Sequence, residues 1–211
     1  MKKLVTCKEM KDLDSTTIRE IGVPSEVLME RAALKVVEET EKYLQKDERI
    51  LVVCGSGNNG GDGIAVARLF HLKGIRVEFY MVGNKDKMTR ETALQYKIAS
   101  GYRVPEVNNP QWSEYTTIVD AVFGVGLTRP IEGHYADIIH EMNSARAKKI
   151  AVDIPSGVNG DTGLENGEFA FSADLTVYNL PTGKEVFAFI REDCMQEGSL
   201  PPISGSMSKK L

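Results

Sequence analysis

Residues 50–70 read ILVVCGSGNNGGDGIAVARLF. Ile50 to Cys54 is a short apolar run ended by glycine, the pattern of a strand buried on both faces. Ile64, Ala65, Ala67, Arg68 and Leu69 begin a helix, with small residues and apolar positions at helical spacing. Between the two stand five glycines with Asn58, Asn59 and Asp62. Glycine permits positive φ and close backbone approach, so this turn can offer bare N–H groups to a ligand. With the positive end of the following helix, those groups make an anion seat. Strand, glycine-rich turn and helix in that order predict a phosphate-bearing ligand. The two carboxamides and the carboxylate exceed what a plain phosphate cradle requires.

Outward from this stretch, strand and helix alternate. Gly74 closes the helix, and Ile75–Val82 is the next strand. Met88–Ala99 reads as a helix closed by Gly101, and 104–107 as a short strand before a polar loop at 108–113. Thr117–Phe123 is a strand, 133–145 a helix, and Lys149–Ile154 a strand stopped by Pro155. A glycine- and aspartate-rich loop, 156–167, leads to a short strand at Leu175–Tyr178. The strands carry β-branched residues and the crossovers are long enough for helices, which predicts an α/β fold, a mostly parallel sheet with helices on both faces.

Two amphipathic helices are expected ahead of the sheet, within 7–44. The first carries Met10, Leu13, Thr17 and Ile18 and ends near Gly22 and Pro24. The second starts at Ser25 as N-cap and carries Val27, Leu28, Ala32, Leu34, Val36 and Val37. They read as packing elements, on the sheet or on a second subunit, with no chemistry of their own. No repeat or linker divides the chain, so 1–211 is expected to be one domain. Val186–Ile190 reads as an edge strand, and the serine-, glycine- and lysine-rich tail from about 199 as flexible.

A net charge of -4 argues against a general nucleic-acid or membrane-surface binder. Cys7, Cys54 and Cys194 are scattered, have no metal-ligand spacing and fit a reduced compartment. The opening MKKLV is interrupted by Lys8, Glu9 and Lys11 before a signal-like apolar region forms. No window approaches the ~18 apolar residues of a membrane span. A cytoplasmic protein is expected.

In an open parallel sheet, ligands bind beyond the carboxyl ends of the strands. Three strands here run into unusual sequence there: Val53 into GSGNNGGDG, Val122 into FGVGLTRP and Val152 into DIPSGVNGDTG. Each brings glycine and an oxygen-bearing side chain to one edge. Gly55, Gly57 and Gly60 satisfy G-x-G-x-x-G, but a dinucleotide dehydrogenase also wants an acid at the end of the next strand. Glu78 lies near that distance yet sits mid-strand, where an outward-facing carboxylate is the plainer reading. Asp120 and Asp153 interrupt apolar strands, and a buried carboxylate needs a pair, hydrogen bonds or a cation. With Asn59 and Ser156 they form a hard oxygen set suited to an alkali or alkaline-earth ion. Arg129 is a candidate phosphate clamp, with a surface arginine as the alternative. His71, His134 and His140 share no spacing and read as helix-surface residues.

NNGGDG at 58–63, DAVFGVGLTRP at 120–130 and DIPSGVNGDTG at 153–163 closely resemble the NAD(P)HX epimerases, the YjeF N-terminal domain family. MKDLD at 10–14 and GVPSEVLMERAA at 22–33 resemble the family's leading helices. The likeness covers about residues 5 to 178. It implies a Rossmann-like three-layer α/β/α sandwich that often forms a homodimer. The implied reaction interconverts the R and S forms of NADHX and NADPHX, the hydrated reduced nicotinamide cofactors. A companion ADP- or ATP-dependent dehydratase acts on the S form.

By the same resemblance, Asn58, Asn59, Gly60, Gly61 and Asp62 contact substrate. Gly124, Val125, Gly126, Leu127, Thr128, Arg129 and Pro130 wrap its phosphates, and Asp153 faces the nicotinamide hydrate. Asn59, Asp120 and Ser156 are the implied ligands of one potassium ion per subunit. After Val177 the family usually continues with a TFG-like turn and a lysine-glycine pair, where this chain reads YNLPTGKEVFAF from Tyr178. Asp153 is the expected acid–base group, giving and taking the proton as the C6 hydroxyl leaves and water returns. The rival readings are an NAD(P)-dependent dehydrogenase on the same fold and a catalytically inactive binding or adaptor module.

Overall fold

The computed structural model describes residues 6–179 and 186–190. Strand β1 (Arg49–Cys54) is the apolar run of the sequence, and its residues 50–54 are all buried. Around it lie β2 (Arg76–Met81), β3 (Thr117–Ala121), β4 (Lys148–Val152), β5 (Leu175–Asn179) and β6 (Val186–Ile190). They form one sheet in the order β2-β1-β3-β4-β5-β6. The first five are parallel, and β6 runs antiparallel to β5, pairing Ile190 with Leu175. The expected α/β architecture and the edge strand at 186–190 are both present. Residues 104–107 make a single bridge, Glu106 to Phe79, instead of a strand. The tail from 199 lies outside the described residues.

Among the described residues, besides short 3-10 turns at Lys85–Lys87 and Trp112–Glu114, five α-helices flank the sheet: α1 (Cys7–Arg19), α2 (Ser25–Glu41), α3 (Asn58–Leu72), α4 (Arg90–Gly101) and α5 (His134–Ser144). The two-residue period of β1 divides its side chains between two cores. Ile50, Val52 and Cys54 pack with Val36 and Val37 of α2, Ile64 and Phe70 of α3, and Ala99 of α4. Leu51 and Val53 pack with Ile138, Ile139 and Met142 of α5. Burying each such side chain contributes about 1.5–3 kcal/mol. A sheet between two helical layers results.

Helix ends follow local chemistry, with one departure. Thr6 and Glu9 close a capping box on α1, Thr6 Oγ1 accepting from Glu9 N–H at 3.2 Å and Glu9 Oε2 from Thr6 N–H at 2.8 Å. At α2 the N-cap is Pro24, without a side-chain cap, and Ser25 is the first helical residue. The Ser25 hydroxyl instead donates to Glu91 Oε1 of α4 at 2.9 Å, tying the start of α2 to the start of α4. Both starts flank the carboxyl edge of the sheet.

Candidate active site

The neighbouring strands β1, β3 and β4 end on one side, so their three unusual continuations meet. Gly55 N–H donates to Ala121 O at 3.0 Å, holding the first turn against the end of β3. A Cβ on Gly55 would lie 2.1 Å from Val122 O, one on Gly60 1.8 Å from Gly55 O, and one on Gly63 2.4 Å from Ala121 Cβ. None of the five glycines at 55–63 has positive φ. Close approach, rather than left-handed backbone, is what demands glycine here.

The helix after this turn starts at Asn58, with Gly57 as extended N-cap, and not at Ile64 as the glycine content implied. NNGGDG is therefore helix. Asn59 and Asp62, three apart, share one helical side. Gly60 and Gly61 are buried behind it, a Cβ on Gly61 meeting Met29 Cε at 2.8 Å.

Asp120 is fully buried at the end of β3. Its Oδ1 accepts from Val122 N–H at 3.1 Å and from the Ser156 hydroxyl at 2.7 Å, and its Oδ2 accepts from Ser156 N–H at 2.7 Å. Ser156 Oγ in turn accepts from Phe123 N–H at 2.9 Å. Burial pushes the Asp120 carboxyl up to about 6, although those hydrogen bonds oppose the rise.

Asp153 follows β4 directly and holds φ +68°, a left-handed conformation that costs a non-glycine residue energy. Its N–H donates to Val177 O at 3.0 Å, and its Oδ2 accepts from Val125 N–H at 3.1 Å. Burial pushes its carboxyl up to about 6, the Val125 bond pulls the other way, and the charge of Asp14 adds to the rise. A Cβ on Gly124 would stand 2.7 Å from Asp153 Oδ2 and 3.3 Å from Asn59 Cγ, so all three residues meet at one point. Both polar atoms of the Asn59 side chain are buried there without a hydrogen-bond partner among the described residues. An unsatisfied buried carboxamide is costly and marks a place where a ligand can bind.

These groups open on a cleft of about 840 Å³. Its floor is Asn58, Asn59 and Asp62 of α3, the 124–127 turn and Asp153. Burial holds the Asp62 carboxyl well above the usual range, with Asp153 and Asp14 adding to the effect. The cleft's other wall is α1 and α2, through Met10, Lys11, Asp14, Met29, Arg31 and Lys35 among others. Sequence reasoning gave these helices only packing. The available signal was Met10, Lys11, Asp14 and Ile18 on a single helical side, apolar and charged together.

Thr128, Arg129 and Pro130 are exposed and lie outside the cleft lining. Glu78 Oε2 accepts from Tyr115 OH at 2.7 Å and from Arg49 Nη2 at 3.3 Å, within β2, so it serves the sheet and not this edge. His71, His134 and His140 do not line the cleft.

Fold and site together define a doubly wound α/β domain with a glycine-bounded, carboxylate-bearing cleft at a helix N-terminus, a form suited to a nucleotide. The family described as YjeF-related protein N-terminus matches residues 25–179. The curated NAD(P)H-hydrate epimerase of Oenococcus oeni is 48% identical over 163 residues, 75% of this chain and 77% of its own length. The NAD(P)H-hydrate epimerase of Limosilactobacillus fermentum is 44% identical over 174 residues, 82% of this chain and 83% of its own. A crystal structure of yeast Ynu0 shares the fold at TM-score 0.73 and 23% identity, covering 83% of this chain and 79% of that one. The chain belongs to the YjeF N-terminal domain family.

Proposed function

We propose that this chain is an isomerase, an NAD(P)H-hydrate epimerase that interconverts the R and S forms of NADHX and NADPHX. The relatives named above support the activity. The observation that carries the site assignment is the meeting of Asp153, Asn59 and Gly124 at the floor of the cleft, with the Asn59 carboxamide unpartnered.

The hydrate bears its C6 hydroxyl beside the ring nitrogen. Asp153, protonated, gives its proton to that hydroxyl, the C6–O bond breaks, and water leaves. The nitrogen lone pair forms an iminium cation with C6. Water then adds to either face and returns a proton to the Asp153 carboxylate, which completes the exchange of configuration. The Asp153 carboxylate left by that transfer favours the cationic intermediate in this partly enclosed place. Asn58, Asn59, Asp62 and the 124–127 turn orient the substrate, and Gly60 and Gly61 let the chain fold tightly behind them. The 128–130 segment continues that turn beyond the cleft lining.

The donor set also fits a potassium ion. Asn59 Oδ1 has no partner, Asp120 Oδ2 accepts one hydrogen bond, and Ser156 Oγ is a third hard oxygen. Asn59, Asp120 and Ser156 would hold the ion, which when bound would supply a fixed positive charge at the strand tips. The apolar side chains that α1 and α2 leave exposed, Leu13, Ile18, Val27 and Leu34, support a homodimer. A separate ADP- or ATP-dependent dehydratase would consume the S form. The free thiols of Cys7 and Cys54 accord with a cytoplasmic setting.

The test is to follow pure R-NADHX by chromatography with and without the protein. The reading requires a faster approach to the R/S mixture than the spontaneous one, and loss of that gain in Asp153→Asn. Equal rates with and without protein would sink it.

A further inference from the structure

The cleft is electrically divided. Its floor carries Asp62 and Asp153, with Asp14 of α1 beside them, whereas its cations Lys11, Arg31 and Lys35 all come from α1 and α2. Lys35 is already neutralised, its Nζ lying 2.8 Å from Glu38 Oε2 and 3.1 Å from Glu39 Oε1. Neither Arg31 nor Lys11 forms an ion pair among the described residues.

The part of α2 that carries Arg31 is fixed over the start of α3. Met29 covers Gly61 in the first turns of α3, so close that a Cβ there would lie 2.8 Å from Met29 Cε. Glu30 forms an ion pair with the buried Arg68 of α3. Arg31 follows these two anchors directly and lines the same cleft as Asn58 and Asn59 of that helix start, whose first N–H groups favour anions. Arg129, the one arginine that sequence reasoning offered for phosphate, lies outside the cleft lining.

We infer that Arg31, assisted by Lys11, is the phosphate-binding cation of this cleft and a positioning residue for the proposed reaction. A dinucleotide hydrate has an uncharged reacting ring and an anionic phosphate chain. The floor offers no cation to the chain and accepts the uncharged ring, while Arg31 and Lys11 attract the chain. That polarity allows one orientation, with the hydrated ring at Asp153. A planar guanidinium suits a phosphate bidentately, and its rigid fork loses less freedom per hydrogen bond formed than a lysine ammonium does.

The inference rests on the epimerase reading for its substrate, so its test needs no catalysis. Binding of ADP-ribose and of 2′-phospho-ADP-ribose is measured by calorimetry on the wild-type chain, Arg31→Gln, Lys11→Gln, Arg31→Lys and Lys97→Gln. Lys97 is an exposed residue of α4 outside the cleft. Arg31→Gln is expected to weaken binding about tenfold, Lys11→Gln less, and Arg31→Lys to regain part of the loss, with Lys97→Gln unchanged. Equal weakening of both probes assigns the contact to the pyrophosphate, and weakening of the 2′-phosphorylated probe alone assigns it to the 2′-phosphate. Wild-type affinity in Arg31→Gln, or no binding of either probe to the wild-type chain, overturns the inference. A chain that binds ADP-ribose through Arg31 but does not speed the R/S exchange would overturn the epimerase reading and leave this one standing.

Discussion

Ser156 meets the carboxylate of Asp120 twice, hydroxyl to Oδ1 and backbone N–H to Oδ2, both at 2.7 Å. One residue follows β4 and the other ends β3, so the pair joins two strand tips inside the protein. Ser156→Ala removes one of those bonds and leaves Phe123 N–H without its acceptor. Orphaning a buried donor costs about 1–3 kcal/mol, and Tm falls roughly 2–4 °C per kcal/mol at this chain length. A Tm drop of about 3–10 °C in a thermal melt is expected, and an unchanged Tm would show that the pair does not hold the tips.

The Asn59 carboxamide gives a second measurable outcome. If its unpartnered oxygen serves a potassium ion, the ion binds the folded chain alone and stabilises it by mass action. Tm then rises with potassium chloride over tetramethylammonium chloride at matched ionic strength. Asn59→Ala is expected to abolish that difference. Equal Tm in the two salts for the wild-type chain removes the ion from the site.

Two glycines separate stability from activity. A Cβ on Gly60 would stand 1.8 Å from the backbone oxygen of Gly55, which cannot move without opening the turn. Gly60→Ala is expected to cost about 3 kcal/mol or more, read as a Tm loss. A Cβ on Gly124 would meet the ends of the Asp153 and Asn59 side chains instead, at 2.7 and 3.3 Å. Gly124→Ala is expected to shift Tm little and to lower kcat at least tenfold, because the displaced groups are those that face substrate.

What the sequence made legible was what local pattern controls. The β-rich stretches at 50–54, 117–123 and 149–154 read as strands because little else suits them, and their glycine- and aspartate-bearing ends marked the site. The helix start at Asn58 was not legible. Glycine is a poor helix former, and what makes Gly60 and Gly63 helical is the nearness of Gly55 O and Ala121 Cβ, residues of other elements. The same holds for Lys11, Asp14 and Arg31. Their positions in sequence show helix faces, and only the placement of α1 and α2 across from the start of α3 turns those faces into a cleft wall. Arg129 is the converse case, a residue type that fits phosphate at a position that leaves it outside the lining.

Asp153 links activity and stability to pH with opposite benefits. Its carboxyl is pushed up to about 6 from 3.8 in the ordinary range. Between those values the folded chain keeps a proton that the unfolded chain has lost. Raising pH from 4 to 6 therefore lowers the unfolding free energy, by an amount on the order of 1–2 kcal/mol that stays lost above pH 6. Asp153→Asn carries no such titration, and asparagine tolerates the φ of +68° found here. The variant is expected to match the wild type in Tm at pH 4.5 and to exceed it at pH 8. Catalysis runs the other way, since the proposed first step needs the protonated acid in the free enzyme. After subtraction of the spontaneous reaction, kcat/KM is expected to be level below about pH 6 and to fall about tenfold per unit above it. A kcat/KM that stays level from pH 5 to 8 would remove Asp153 from the proton transfer, and a variant no more stable than the wild type at pH 8 would show that the folded carboxyl is not held above its ordinary range.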